Sequence, residues 1–250
     1  MKKILLYRDE GVSLRSLKSL VREFREENLD SRYEITFVDR HYLAAQEWIE
    51  STALLVFPGG RDVPYHQALQ GKANSHIQRF VKGGGKYLGI CAGSYYGSAI
   101  VEFEKGNPLE VCDVRELRFF PGVALGPAYG PGEFTYESEK GVRLACLSWQ
   151  NSSKQKSTAY YNGGCTFVNA EAYPGVHVIA RYDDIEERPA AIIACSVGKG
   201  VALLSGIHPE YSGHHLPTKD PFLATLLPEL QDAEIQRKAL FKYILEQLEV

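Results

Sequence analysis

The stretch Gly89-Ile-Cys91-Ala-Gly93, closing the apolar run Tyr87, Leu88 and Ile90, limits what this chain can fold into more than any other. A G-x-C-x-G pattern after a β-prone segment is the cysteine form of the nucleophile elbow. This is a strand-to-helix turn so crowded that the positions two before and two after the central residue must be small. It presupposes a strand inside an open α/β sheet and a helix that starts at once. It also sets the sulfur beside the free N–H groups of a helix start, where a thiolate is favoured. Taken alone, the same residues also fit a buried structural cysteine beside a Gly-rich turn.

The rest of the chain supplies the sheet that the elbow requires. Ile4–Tyr7 reads as a short buried strand, and Ser13 can cap a helix whose Leu14, Leu17, Leu20, Val21 and Phe24 fall at helical spacing. Tyr33–Val38 alternates as a second strand, a short helix around Ala44–Glu50 follows, and Ala53–Phe57 is a third strand running into Pro58-Gly59-Gly60-Arg61-Asp62. A helix over Asn74–Lys82 stops at three glycines before the elbow strand. Strands alternating with helices predict a flavodoxin-type α/β architecture, a mostly parallel twisted sheet with helices on both faces and Tyr87–Ile90 central.

Beyond the elbow the pattern changes. Residues 101 to 173 are rich in Gly, Pro and Tyr, with candidate strands at Leu117–Phe120, Phe134–Tyr136, Val142–Leu147 and Cys165–Val168. They predict an antiparallel or irregular insertion within one domain spanning 1–250, not a second domain. Val176–Tyr182 and Ala190–Cys195 are further strands, and Gly198-Lys-Gly200 makes a tight connection into Val201–Ser205. A last helix carries Ile235, Ala239, Leu240, Tyr243, Ile244 and Leu248 on one face.

Composition excludes several classes. With 44% hydrophobic residues, 24% charged and a formal net charge of -3, the chain has no basic face, so nucleic acid is not an expected partner. The apolar run after Lys2-Lys3 is too short for a signal peptide, and none is long enough to span a membrane. Five scattered cysteines, an odd number, predict reduced thiols in a cytoplasm.

Two further stretches can serve Cys91. Ser205-Gly-Ile-His208-Pro209-Glu210 follows the last core strand. A thiol nucleophile needs an imidazole for its proton, and the imidazole needs a carboxylate to fix its tautomer. His208 and Glu210, two apart across a rigid proline, point the same way; alone, the segment also fits a surface loop. The glycines of Phe57-Pro-Gly-Gly-Arg-Asp62 sit at the carboxyl end of a parallel strand, where ligands bind, and the amides of Gly60 and Ala92 are the candidate oxyanion hole.

P-G-G, G-I-C-A-G and G-I-H-P-E occur in the order seen in class I glutamine amidotransferases, and the chain resembles that superfamily over most of its length. It is most similar to a stand-alone form of the N-terminal domain of eukaryotic-type biotin–protein ligases. Phe57–Tyr65, Gly89–Gly97, Tyr160-Tyr-Asn-Gly-Gly164, Phe119–Gly122 and Gly126–Tyr129 carry this resemblance. It implies a flavodoxin-like fold and a Cys91–His208–Glu210 triad. Gly59, Arg61, Tyr95, Tyr129 and Asn162 are the candidate substrate-binding residues, although Asn162 equally fits a left-handed turn and the tyrosines also fit core packing. The amidotransferases usually hold glutamine with a Gln four residues after the nucleophile, where this chain has Tyr95, so glutamine is not the expected substrate. No segment resembles the biotinyl-adenylate loop of a ligase, so biotin ligation is not expected either.

Other groupings carry less. His208, His214 and His215 with Glu210 match no helical zinc motif, so no metal is expected, and no cofactor. Asp9 and Glu10, at the end of the first strand, read as solvated loop acids. Two functional readings follow. One is a cysteine hydrolase of the amidotransferase type acting on a small-molecule amide. The other is a ligand-binding or regulatory module that keeps the pocket without turnover. A small molecule is the expected partner in either case, and a biotin ligase is a further candidate.

Overall fold

The protein is described from a computed structural model covering residues 1–150 and 154–250. β1 (Lys3–Tyr7) is apolar at four successive positions and buries them all, as a strand covered on both faces must. Ser13 caps α1 (Leu14–Glu26) by accepting the Ser16 N–H. β2 (Glu34–Val38) leads to α2 (Arg40–Ala44), capped by Asp39. β3 (Thr52–Phe57), α3 (Asp62–Leu69), α4 (Lys72–Lys82), β4 (Lys86–Ile90) and α5 (Ala92–Gly97) follow. Then come β5 (Ser98–Phe103), β6 (Val111–Val114), β7 (Phe120–Gly126), β8 (Arg143–Gln150), β9 (Lys154–Tyr161), β10 (Thr166–Phe167), β11 (Val176–Tyr182), β12 (Ala190–Val197) and β13 (Gly200–Ser205). α6 (Leu227–Asp232) and α7 (Glu234–Gln247) complete the elements.

All these strands join one sheet, ordered β2-β1-β3-β4-β13-β12-β10-β7-β5-β6, with β11, β8 and β9 branching from β12. The first five are mutually parallel, the 2-1-3-4-5 order of flavodoxin-like sheets. β4 lies between β3 and β13, so the elbow strand is interior. Strand alternation divides the core. Leu5, Tyr7, Leu55, Phe57 and Tyr87 face α3 and α4, while Ile4, Leu6, Leu54, Val56, Leu88 and Ile90 face α1 and α7.

Several boundaries differ from the sequence expectations. The helix expected around Ala44–Glu50 lies earlier, at Arg40–Ala44, and in the turns that follow the Trp48 indole N–H donates to the Ala45 carbonyl at 2.9 Å. α3 was not expected after the glycines. The strand expected at Leu117 begins at Phe120. Phe134–Tyr136 is no strand; Phe134 instead packs edge-on against Phe103 and Tyr136. The insertion does not stand apart, since β5, β6, β7 and β10 extend the sheet beyond β12. In α7 the buried face is Arg237, Leu240, Phe241, Ile244 and Leu245, and Ile235 is 79% exposed. Of the expected stripe, Leu240, Ile244 and Leu248 are buried and Tyr243 packs against them, whereas Ile235 and Ala239 are exposed and the charged Arg237 is buried.

Candidate functional site

Cys91 sits between β4 and α5 at φ 51°, ψ -103°, a conformation that costs an L-residue energy and is held by its surroundings. Its N–H donates to the Ser205 carbonyl at 2.8 Å, tying the turn to the end of β13. The Ser94 hydroxyl reaches the carbonyls of Gly89 (2.8 Å) and Ser205 (2.7 Å), clamping the two strand ends together. The small-residue requirement has a visible cause. A Cβ on Gly89 would strike the Gly93 carbonyl, and one on Gly93 would strike that of Phe57. α5 is only six residues long, so Cys91 owes less to a helix dipole than to the groups around it.

Those groups arrive from the segment after β13. The His208 N–H donates to the Tyr160 carbonyl at 3.1 Å, docking the segment on β9. His208 Nδ1 and Glu210 Oε1 are 2.8 Å apart, with both side chains buried. The carboxylate accepts, so Nδ1 carries the proton and Nε2 is left for Cys91, which is in hydrogen-bonding reach of the ring. Burial alone would lower the pKa of His208, but Glu210 and Cys91 outweigh it and raise it to about 10. Tyr211 stacks on the imidazole at 4.6 Å and Tyr160 meets it edge-on, so the ring has little room to turn.

A hydroxyl from α1 joins the two halves. Ser16 Oγ donates to Glu210 Oε1 at 2.7 Å and accepts the Gly59 N–H at 3.0 Å. Ser16 belongs to a buried polar stripe, Ser16, Ser19 and Glu23, on an otherwise apolar helix face. Two buried arginines brace the same region. Arg115 holds Asp62 through Nε (2.9 Å) and Nη2 (2.6 Å) at the start of α3, and Arg237 of α7 reaches the Pro209 carbonyl.

A cavity of about 330 Å³ opens over the sulfur. Of the residues expected from sequence, Gly60, Arg61, Cys91, Ala92, Tyr95, Asn162 and His208 line it. Among the described residues, the Gly60 and Ala92 N–H groups have no acceptor within the fold. Gly60 has φ 146°, and a Cβ there would overlap the Gly11 carbonyl. Arg61 lies over the Tyr136 ring at 4.0 Å. The Asn162 carbonyl faces the sulfur at 3.9 Å, and its side-chain Oδ1 is buried without a partner.

Three expected residues behave differently. Gly59 is not in the wall but lies behind His208, where it leaves room for the ring. Tyr129 is turned away, and its hydroxyl donates to Asp184. Tyr95 lines the cavity, but its hydroxyl is committed to the Gly163 carbonyl at 3.0 Å. Asp9 forks with Arg40 at 2.7 Å, and neither Asp9 nor Glu10 lines the cavity. Among the described residues no three His, Cys, Asp or Glu side chains are grouped to hold a metal ion.

Sequence reasoning missed Ser16, Glu139, Tyr211 and Arg237. Glu139 closes the far wall, ion-paired to Arg15 and accepting the Tyr160 hydroxyl. One signal was available. Arg237 precedes Leu240, Phe241 and Ile244 at helical spacing, which puts a cation in the apolar stripe.

The comparisons agree with one another. The family model described as the N-terminal part of biotin–protein ligase matches residues 2–250. An uncharacterized protein of Chlamydia muridarum is 44% identical over 212 residues, covering 84% of this chain and 81% of that protein. The biotin–protein ligase of Schizosaccharomyces pombe is 43% identical over 225 residues, covering 87% of this chain. The match takes in only 34% of that ligase, about a third of its length. Among solved structures, a ThuA-like protein of Bacteroides uniformis superposes with TM-score 0.52 at 8% identity, over 83% of this chain and 82% of that one, a likeness of fold alone.

Proposed function

The chain belongs to the family of the biotin–protein ligase N-terminal domain, and from that premise we propose that it is a cysteine hydrolase of the glutamine amidotransferase type, acting on a small-molecule amide other than glutamine. One observation carries the reading: an elbow cysteine at φ 51° shares a buried cavity with an imidazole whose Nδ1 is 2.8 Å from a carboxylate. A structural cysteine needs neither the strained backbone nor the oriented base.

In the proposed reaction, the Cys91 thiol proton passes to His208 Nε2 as Sγ forms a bond to the amide carbon, and the carbonyl π pair moves to oxygen. The Gly60 and Ala92 amides hold that oxyanion. His208 gives its proton to the departing nitrogen as the C–N bond breaks, leaving a thioester. With the sulfur acylated, His208 loses one of the two partners that raise its pKa. Neutral imidazole then draws a proton from water, whose oxygen displaces the sulfur. Glu210 orients His208 throughout. Arg61 and Asn162 are the side chains offered to the substrate.

A second reading has its own observation. In the S. pombe ligase the matched region is only a third of a longer chain, which favours a ligand-binding or regulatory module that contacts a biotin ligase. Amide and ester substrates screened by intact mass separate the two. A Cys91-dependent acyl adduct, absent in Cys91→Ser, supports the hydrolase. Ligand binding without adduct or turnover supports the module.

A further inference from the structure

α7 buries a cation that the proposed chemistry does not use. Arg237 is 1% exposed. Its Nη2 donates to Glu23 (3.0 Å) and Glu234 (2.7 Å), its Nε to Glu234 (3.0 Å), and its Nη1 to the Pro209 carbonyl at 2.6 Å. Two carboxylates already balance the guanidinium, and Glu26 is neutralised separately by Lys238 at 2.7 Å. The bond to Pro209 is therefore not needed for charge compensation.

Pro209 is the residue between His208 and Glu210. It has no N–H, so its carbonyl is the one backbone hydrogen-bonding group at the middle of the segment. A planar guanidinium fixes several acceptors in one geometry, as an ammonium does not. Glu23 lies two turns from Ser16 on the same buried face of α1, and Ser16 holds Glu210 directly. α1 thus grips the segment twice, once through Ser16 and once through Glu23 and Arg237.

We propose that Arg237 is a positioning residue: by holding the Pro209 carbonyl it sets the bend that aims Glu210 at His208 and His208 at Cys91. The inference rests on the Cys91–His208–Glu210 reading, and its test must fail separately from that reading.

The assay is iodoacetamide labelling of Cys91 in the full chain at pH 7, followed by peptide mass. The downfield proton resonance of His208 Nδ1–H is recorded alongside it. His208→Ala tests the triad, and labelling at the unchanged rate would remove it. Given slower labelling there, Glu23→Gln/Arg237→Met tests the proposal, since it removes the donor to Pro209 without leaving Glu23 as a buried, unpaired carboxylate. The expected result is labelling slowed at least about tenfold, with the circular dichroism retained and the Nδ1–H resonance lost or shifted. Arg237→Lys should recover part of the rate and Glu23→Gln alone nearly all of it, because both keep a donor near Pro209. Should the double variant label within about twofold of the parent with an unchanged resonance, Arg237 is only a packing residue. If the double variant does not fold, Arg237→Lys decides: an unaltered resonance and rate overturn the proposal, and a shifted resonance with a slower rate supports it.

Discussion

Gly59→Ala should disable the site with one methyl group. Gly59 does not need a positive φ, so alanine is conformationally acceptable there and the effect is steric. A Cβ at this position would stand 2.4 Å from His208 Cε1, where ordinary contact begins at 3.4 Å. The imidazole must therefore retreat by about 1 Å in a packed interior that yields poorly. Tyr211 stacks on one face at 4.6 Å, Tyr160 closes an edge, and Glu210 holds Nδ1 at 2.8 Å, so retreat breaks at least one of these contacts. Overpacking of this kind costs about 1–3 kcal/mol of stability, or roughly 2–12 °C in Tm for a chain of this size. Misplacing a reacting group by 1 Å costs about 100-fold in rate, equivalent to about 2.7 kcal/mol at the transition state. The assay is Cys91 labelling by iodoacetamide at pH 7 beside a thermal melt. Labelling within about threefold of the parent, with Tm unchanged, would refute both the placement of the ring and its role.

Three other outcomes follow from the geometry. Iodoacetamide should modify Cys91 before the other four cysteines: burial pushes Cys165 well up and Cys195 up to about 12, burial and Asp184 raise Cys146, and Cys112 is an exposed thiol without an oriented base; peptide mapping that finds Cys112 first would sink the elbow assignment. Glutamine should release negligible ammonia, with discrimination on the order of 10⁴-fold. Tyr95→Gln should not restore it, since the phenol fills a slot against Gly126 and Gly163 that a shorter amide leaves empty; Cys91-dependent glutaminase activity would overturn this. His208 has a raised pKa, so its stabilising contribution is complete below about 6.5 and is lost as pH rises toward about 10. Unfolding free energies from urea titrations should therefore fall more steeply from pH 7 to pH 10 in the parent than in His208→Gln, by at most about 1.4 kcal/mol per pH unit; parallel slopes would contradict the raised value.

Local pattern carried the elbow and the parallel half of the sheet, because apolar runs and glycine punctuation are short-range signals. That Cys91, His208 and Glu210 come together was legible for the same reason: each lies in a short motif after a strand. Tyr129 was misjudged because its motif says nothing about Asp184, which lies 55 residues away and takes its hydroxyl. Ser16 was invisible as a partner of Glu210, since the polar stripe Ser16, Ser19 and Glu23 reads in the sequence as a solvated helix face although it is buried. The first turn of α7 was misread because a buried cation counts as polar in any hydrophobic pattern, although its long stem packs like an apolar residue. Gly59 was assigned to the substrate, whereas its missing side chain makes room for a ring that arrives 149 residues later in the chain.

The Ser16–Glu210 bond joins positions 194 apart in the chain. The entropy of closing so long a loop must be paid before the contact rewards it, which places contacts of that span late on a folding route. A ribosome releases the N-terminal helix long before the segment that will meet it. The thiol at Cys91 can therefore meet the imidazole proposed as its base only after His208 and Glu210 have been made. A half-made chain carries an ordinary cysteine, and the rate at which the thiol gains reactivity during refolding should report closure of the whole molecule rather than formation of the elbow.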